Sequence, residues 1–471
     1  MTWSGDPAAG GDPTGPPSLW SAQLGPPGPA RPALAGDREA DVVIVGAGFT
    51  GLWTAYHLLQ LEPGRRVVIV ERERAGFGAS GRNGGWCSAL FPRDGWAQRM
   101  RPALVEAVDG VGAVAVAEGI DCDYARAGRL TVATTPAQLA RLRPGPGTSE
   151  TTVGPTPGIP ATTPATPVAG PRWLDATALA AMIRIPAALG GLFDPDCAAL
   201  HPGRLARGLA AAVERRGATI HEGSPARAVV PGLVTTPAGQ VRAPVVVRAT
   251  EAYTASLPGA RRELAPVYSL MIATAPLPAA AWDEIGWRDR FTLSDGRHLI
   301  IYAQRTADGR IALGGRGAPY HWGSRVSPAF DASPRVFEHL ARVLAALFPA
   351  AAGVPVTHRW GGPLGVPRDW TPAVTFDAST GLAAAGGYVG DGVAASYLAG
   401  QTLAELVTGR RTHRTALPWV NHARRRWEVE PLRWAGINAG RLLAAAADRR
   451  ENRVGRPSRL AGALDRLTGH S

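Results

Sequence analysis

The chain has 471 residues and carries 50 basic against 38 acidic side chains, a formal net charge of +12. Every basic residue is arginine and lysine is absent. That excludes Walker-type nucleotide hydrolases, protein kinases, pyridoxal enzymes and Schiff-base aldolases, each of which needs a lysine amine. Three scattered cysteines, Cys87, Cys122 and Cys197, suit neither a disulfide framework nor a zinc site. With no signal-like or membrane-spanning run, the expected setting is a reducing, cytoplasmic one, and no metal is expected.

Residues 1–36 are rich in proline and glycine and predict a poorly ordered lead-in. DVVIVGAG, from Asp41 to Gly48, is a continuous apolar run ending in glycine, the pattern of a buried parallel strand. A helix is predicted from about Gly51 to Leu61, then a second strand, RVVIVE, ending at Glu71. The stretch from Pro144 to Pro171 is proline-, threonine- and glycine-rich and predicts a disordered surface insertion. A helix follows at 203–217, a short strand at 218–221 and a buried strand within 241–250. The β patterns of 266–277, 299–302 and 310–313, without long helices between them, predict an antiparallel sheet. A helix over 334–348, strands near 358–360 and 382–385 and a helix over 393–408 complete the body. The last sixty residues read as basic and helical: fourteen arginines and six acids fall after residue 400. The high pI therefore belongs mainly to this tail, which weakens any nucleic-acid reading.

Three glycine-rich motifs carry chemistry. The first is Gly46–Ala47–Gly48–Phe49–Thr50–Gly51, between a buried strand and a helix. Its glycines allow a tight turn and close approach to a pyrophosphate, and the helix N-terminus supplies amide donors. Glu71 lies 25 residues after Gly46, close to the ~20-residue spacing of a ribose-binding carboxylate. The acid disfavours a 2′-phosphate, although Arg72 and Arg74 stand beside it. The second is GFGASGRNGG, Gly76 to Gly85, with Ser80, Arg82 and Asn83, suited to a second anionic or ring-shaped part of a larger cofactor. The third is GGYVGDGVAASYLAG, Gly386 to Gly400, where a helix N-terminus near Gly390–Val393 can stabilise negative charge on a flavin or serve as an ordinary cap at Asp391. Only one complete dinucleotide fingerprint is present.

In this order and separation the motifs resemble the FAD-dependent D-amino-acid oxidase-like family, which includes the glycine and sarcosine oxidases. The likeness spans roughly 40–409 and is closest to the γ-glutamylputrescine oxidoreductase branch, through the ASGRNGG string at Ala79–Gly85. VVVRAT (Val245–Thr250), YAQRTADGRIALGG (Tyr302–Gly315) and a WGG segment (Trp360–Gly362) fit the same pattern. The resemblance implies an α/β (α+β) fold: a Rossmann-like FAD-binding domain of the glutathione-reductase type, from 37–135, 200–262 and 356–409, and a mixed or antiparallel-sheet substrate domain, from 136–199 and 263–355. It implies non-covalent FAD contacted by Gly46, Gly48, Phe49, Thr50, Gly51, Glu71, Arg72, Ser80, Arg82, Asn83, Gly84, Gly85, Gly390, Asp391, Gly392 and Val393.

The implied reaction is hydride transfer from an amine or amino acid to flavin, with imine hydrolysis and with O2 or another carrier as electron acceptor. Asp391, Tyr302, His298 and Trp360 are the candidate substrate-pocket residues, with Tyr268 beside them; His201 reads as structural. Where relatives place a carboxylate-binding arginine after the WGG segment, this chain has Leu364 and Gly365, with Arg368 a few residues late. Asp391 stands where many members have histidine and is expected to favour amines over amino acids. A chain without lysine lacks the group that some sarcosine-type oxidases use near flavin to promote reaction with O2, so slow reoxidation is expected. A flavin-dependent RNA-modifying enzyme and a non-catalytic FAD-binding protein are the rival readings.

Overall fold

A computed structural model describes residues 17–26, 28–143 and 170–458. The first part of the lead-in, nearly all of the insertion at 144–171 and the end of the tail lie outside the described residues.

Two large sheets organise the molecule. The first has six strands in the order Ala373–Asp377, Leu382–Gly386, Val245–Arg248, Val42–Val45, Val67–Val70 and Thr219–His221. All neighbours run parallel except the first pair. The three central runs, VVIV, VVIV and VVVR, are apolar because helices or loops cover both faces. The helix Phe49–Leu61 packs on one face and crosses the helix Gly392–Val407. Their approach is so close that a Cβ at Gly400 would lie 2.6 Å from the Trp53 Cβ. The long helix Asp94–Ala117 covers the same core through Met100, Leu104, Val108 and Val111. Sequence patterning did not pick it out.

The second sheet has eight strands: Val356–Val366, Ala265–Thr274, Ile311–Gly315, Ile301–Arg305, Thr292–Asp295, Arg129–Ala133, Gly190–Asp194 and Arg172–Asp175. It is antiparallel except where Thr292–Asp295 runs parallel to Arg129–Ala133. The helix Pro334–Leu347 covers it with Phe337, Leu340 and Leu344. The sheets divide the chain differently from expectation. Arg129–Ala133 and Val356–Val366, expected in the dinucleotide half, both pair into this second sheet, because their ladders run to its strands rather than to the parallel set.

Two further expectations change. The described part of the lead-in is packed. Leu19–Gln23 is helical, capped by Ser18, and Trp20 is 1% exposed. Losing an indole from such a site costs about 3–5 kcal/mol. The described tail is no free basic arm either. Trp419 and Trp427 are buried, Trp427 donating to the Val366 carbonyl at 2.8 Å. The helix Leu432–Val454 brings Glu451 onto Arg141 at 2.6 Å. Arg414 pairs with Glu405 and Arg433 with Glu430, so these arginines are neutralised within the fold.

His57 lies in the first of the crossing helices, stacked on Trp53 and edge-on to Tyr397 at 4.8 Å. Burial pushes its pKa down to about 3, and that of His201 to about 4, from 6.5. Both are neutral when folded, whereas the unfolded chain protonates them near 6.5, so the unfolded state binds more protons below that pH. Stability from these groups is present above about pH 6.5 and is lost as pH falls toward 4. The thermal midpoint is expected to drop over that window, and less steeply in His57→Phe. Equal slopes in the two proteins contradict the assignment.

Candidate functional site

The parallel strands Val42–Val45, Val67–Val70 and Val245–Arg248 end side by side, and the residues that follow them line one cleft. These are Gly46, Glu71 and Ala249 to Glu251, joined by Phe49, Thr50, Ser80, Asn83, Tyr253, Leu364, Tyr388, Gly390, Gly392 and Val393. The cleft encloses about 1180 Å³, its open mouth included. Carboxyl ends of parallel strands are where open α/β sheets bind ligands, because the loops there diverge and helix N-termini converge.

The glycines of the first motif are sterically required. Gly46 has φ +105, and a Cβ there would lie 2.6 Å from the Ala249 carbonyl oxygen. A Cβ on Gly51 would collide with the Gly46 carbonyl, so only glycine lets the helix start this close to the strand. The second motif is tied to the first. Ser80 Oγ accepts from the Phe49 amide at 2.8 Å, and the Gly76 amide donates to the Ala47 carbonyl at 2.9 Å. The third motif closes on both through Thr50 Oγ1 and Tyr388 Oη, 2.9 Å apart. Three segments, the third 338 residues beyond the first at the Thr50–Tyr388 contact, thus form one rim.

Glu71 accepts from the amides of Ala47 (2.8 Å) and Glu73 (2.9 Å). Burial pushes its carboxyl above the ordinary value, and the two amides oppose that shift. Arg72 lies over the Tyr253 ring at 4.8 Å and also lines the cleft. Gly51, Arg82, Gly84, Gly85 and Asp391 do not. The Arg82 guanidinium turns away to Asp331, 2.5 Å, and to the Phe77 ring. Burial raises Asp331 to about 6 despite that partner. The carbonyls of Arg82 and Asn83 are held by two indoles, Trp360 Nε1 at 2.9 Å and Trp20 Nε1 at 2.8 Å. Gln304 Nε2 holds the Gly84 carbonyl at 2.7 Å. Arg82 and its neighbours therefore fix the loop from behind, while Ser80 and Asn83 face the cleft.

The expected substrate-pocket residues separate. His298 is removed from the site: it lies in the turn before Ile301–Arg305, bonded to Glu451 at 3.0 Å, with its amide on Asp448. Arg141 sits against both His298 and Glu451, so a cation already neutralises that group. Trp360 is 1% exposed and packs edge-on to Trp20, a supporting core residue. Tyr302 lies beneath the second motif. A Cβ on Gly84 would meet its ring at 2.8 Å, and its hydroxyl bonds Ser269 Oγ at 2.9 Å. Tyr268 packs against His321 and Phe330. Arg368 pairs with Glu428 at 2.8 Å, on the tail.

Asp391 precedes the helix Gly392–Val407 but makes no capping hydrogen bond. Its carboxylate lies near Ser88 Oγ, 3.5 Å, and interacts with Arg316. Arg316 donates to the Val389 carbonyl at 2.9 Å. Burial pushes the Asp391 carboxyl up and the Arg316 guanidinium down, and each pulls the other back. Asp391 is thus no lone anion. Sequence reasoning missed Arg316, Tyr388 and Glu251. The signal for Glu251 was its place directly after VVVRAT, at the carboxyl end of a central parallel strand.

Fold and cleft together define a dinucleotide-binding flavoprotein of the glutathione-reductase architecture. The chain belongs to the FAD-dependent oxidoreductase family, whose model matches residues 41–406. It is 30% identical over 384 residues to γ-glutamylputrescine oxidoreductase of Escherichia coli, covering 78% of this chain and 84% of that one. It is 29% identical over 397 residues to the probable oxidoreductase OrdL of Haemophilus influenzae, covering 80% and 85%. Glycine oxidase from Geobacillus kaustophilus shares the fold with a TM-score of 0.65 at 21% identity, over 82% of this chain and all of that one. L-amino acid deaminase from Proteus myxofaciens does so with 0.66 at 17%, over 83% and 95%. The cofactor is FAD, and the cleft fits it. Glycines leave the phosphate approach bare of side chains, the N-terminus of the helix Phe49–Leu61 opens onto it, and Glu71 stands at the second strand's end.

Gly51→Ala places a methyl on the Gly46 carbonyl and distorts the phosphate loop. Flavin-fluorescence titration of the folded apoprotein is expected to show FAD binding weakened by more than about tenfold. Wild-type affinity contradicts the assignment.

Proposed function

We propose that the protein oxidises the C–N bond of an amine or amino acid, and that the cleft residues named above hold the FAD. FAD supplies a two-electron acceptor that takes hydride from the carbon beside the amine nitrogen. The chain's own task is to bind the amine neutral, direct that C–H toward the cofactor and exclude water. The resulting imine then takes up water to give a carbonyl compound and the released amine or ammonia. O2 or another carrier accepts the electrons.

The observation that supports this reading most is the placing of two opposite charges, Arg316 and Asp391, beside Gly390, where each acts on the other electrostatically. The Arg316 guanidinium stands 3.8 Å, and Leu364 3.6 Å, from where a Cβ on Gly390 would be, and both Gly390 and Leu364 line the cleft. A pair of opposite charges suits a substrate with both an amine and a carboxylate better than a simple amine, which revises the role first expected of Asp391 alone. Opposite charges near one another offset each other's field, and removing one leaves the other free to select a ligand of opposite sign.

Anaerobic mixing with a panel of amines and amino acids is expected to bleach the flavin band near ~450 nm. A band unmoved by every member contradicts oxidation of this class. Asp391→Asn leaves Arg316 uncompensated and is expected to shift kcat/KM toward carboxylate-bearing substrates by roughly tenfold. An unchanged ratio between an amine and an amino acid contradicts the pair's role in selection.

A further inference from the structure

Glu251 occupies a conformation that its residue type disfavours. Its φ is +42, in the left-handed region where glycine or asparagine is ordinarily found. It follows the strand Val245–Arg248 by three residues and lines the cleft. Its side chain is committed across the cleft's end. Oε1 accepts from the amides of both Gly387 (2.9 Å) and Tyr388 (3.0 Å). Oε2 is shut off from solvent and lies against Gly365, where any side chain would collide with it. Arg424 faces the same turn from the tail, donating to the carbonyls of Gly386, Ala373 (3.3 Å) and Thr371 (3.1 Å), and its charge acts on Glu251.

The segment so held runs from Gly386 to the start of the helix Gly392–Val407, and three of its residues have positive φ besides Gly386 itself: Gly387, Val389 and Gly390. Such a run has no hydrogen-bonded ladder to keep its shape, so its conformation must be imposed by side chains around it. The two charge-assisted bonds of Glu251 to consecutive amides restrain its middle, with Arg424 on the Gly386 carbonyl and Arg316 on the Val389 carbonyl at either side. Tyr388, one of the two residues gripped, reaches Thr50 at the mouth of the first motif.

We propose that Glu251 is a positioning residue for the cofactor. It clasps the Gly387–Tyr388 amides and thereby sets the turn and helix N-terminus that face the flavin ring. The inference rests on the reading that this cleft holds FAD. The clasp acts through the turn, so Glu251 itself need not touch the ring. Its electronic consequence follows from the helix end. Amides aimed at the ring stabilise the negative charge that accumulates on reduction, and a turn that slackens withdraws them.

The test compares Glu251→Gly, Glu251→Asn and Glu251→Gln in the full-length protein. Glycine and asparagine accept the positive φ but cannot reach the two amides. Glutamine keeps an oxygen that can. Glycine and asparagine variants are expected to fold, by circular dichroism, yet to bind FAD roughly tenfold or more weakly and to give a lower flavin midpoint potential. Glutamine is expected to restore most of both. Should Glu251→Gly prove insoluble, Gly365→Ala, which pushes the carboxylate aside without touching the left-handed residue, gives the same readout. Wild-type affinity and potential in the glycine and asparagine variants overturn the proposal, as does a glutamine variant as impaired as glycine, which would place the effect on charge rather than on the clasp. Gly46→Val is measured alongside. If it loses FAD while the Glu251 variants keep it, the clasp alone is wrong; if it too keeps FAD, the assignment of the cleft falls and the clasp with it.

Discussion

The approach of one helix to one strand governs the site. Between Val45 and Phe49 the chain must turn from the parallel sheet into the helix Phe49–Leu61 with the Gly46 carbonyl packed beneath Gly51 and the Gly46 Cα beneath Ala249. No side chain fits at either glycine. The closeness brings helical amides to the edge of the sheet, where a pyrophosphate can reach them, and it brings Glu71 on the next strand within hydrogen-bond reach of the Ala47 amide. A looser turn would separate the end of the helix, where we propose the pyrophosphate binds, from the Glu71 carboxylate we propose for the ribose.

The other two motifs are built onto this turn rather than beside it. Ser80 pins the second loop to the Phe49 amide, and Tyr388 joins the third to Thr50. The backs of these loops are held by groups from remote elements: Trp20, Trp360 and Gln304 on one, Glu251 and Arg424 on the other. Each remote group holds a backbone carbonyl or amide of these loops, a net contribution of about 0.5–1.5 kcal/mol for a typical bond and more for a charged partner. The cleft is therefore a set of irregular loops stiffened by side chains from the second sheet, the segment after Val245–Arg248, the lead-in and the tail. That accounts for a lead-in and a tail that pack although their composition predicts disorder or a solvated basic arm.

Much of this architecture was legible in the amino-acid order because it is local. The VVIV runs, the helix after Gly51 and the acid at 71 are consecutive in sequence, and their physics is short-range. What was not legible depends on pairing at long range. Arg82 carries the same side chain whether it faces a phosphate or Asp331, and only the fold decides for Asp331. His298 was expected on a strand facing the flavin, yet it lies in the turn before that strand and reaches Glu451 on the last helix. Asp391 read as an isolated charge until Arg316 arrived from just beyond the strand Ile311–Gly315 of the other sheet. Strand assignment failed similarly: Arg129–Ala133 and Val356–Val366 have the composition of either sheet, and ladder partners alone choose between them.

The central claim is that FAD lies in this cleft, its pyrophosphate at the Gly46–Phe49 turn and its ring toward Gly390–Val393. A crystal structure of the FAD-reconstituted protein measures that directly. The account predicts continuous cofactor density along the cleft, the ribose at Glu71 and the ring at the turn clasped by Glu251. Density for FAD elsewhere, or in this cleft with its ends exchanged, would contradict it.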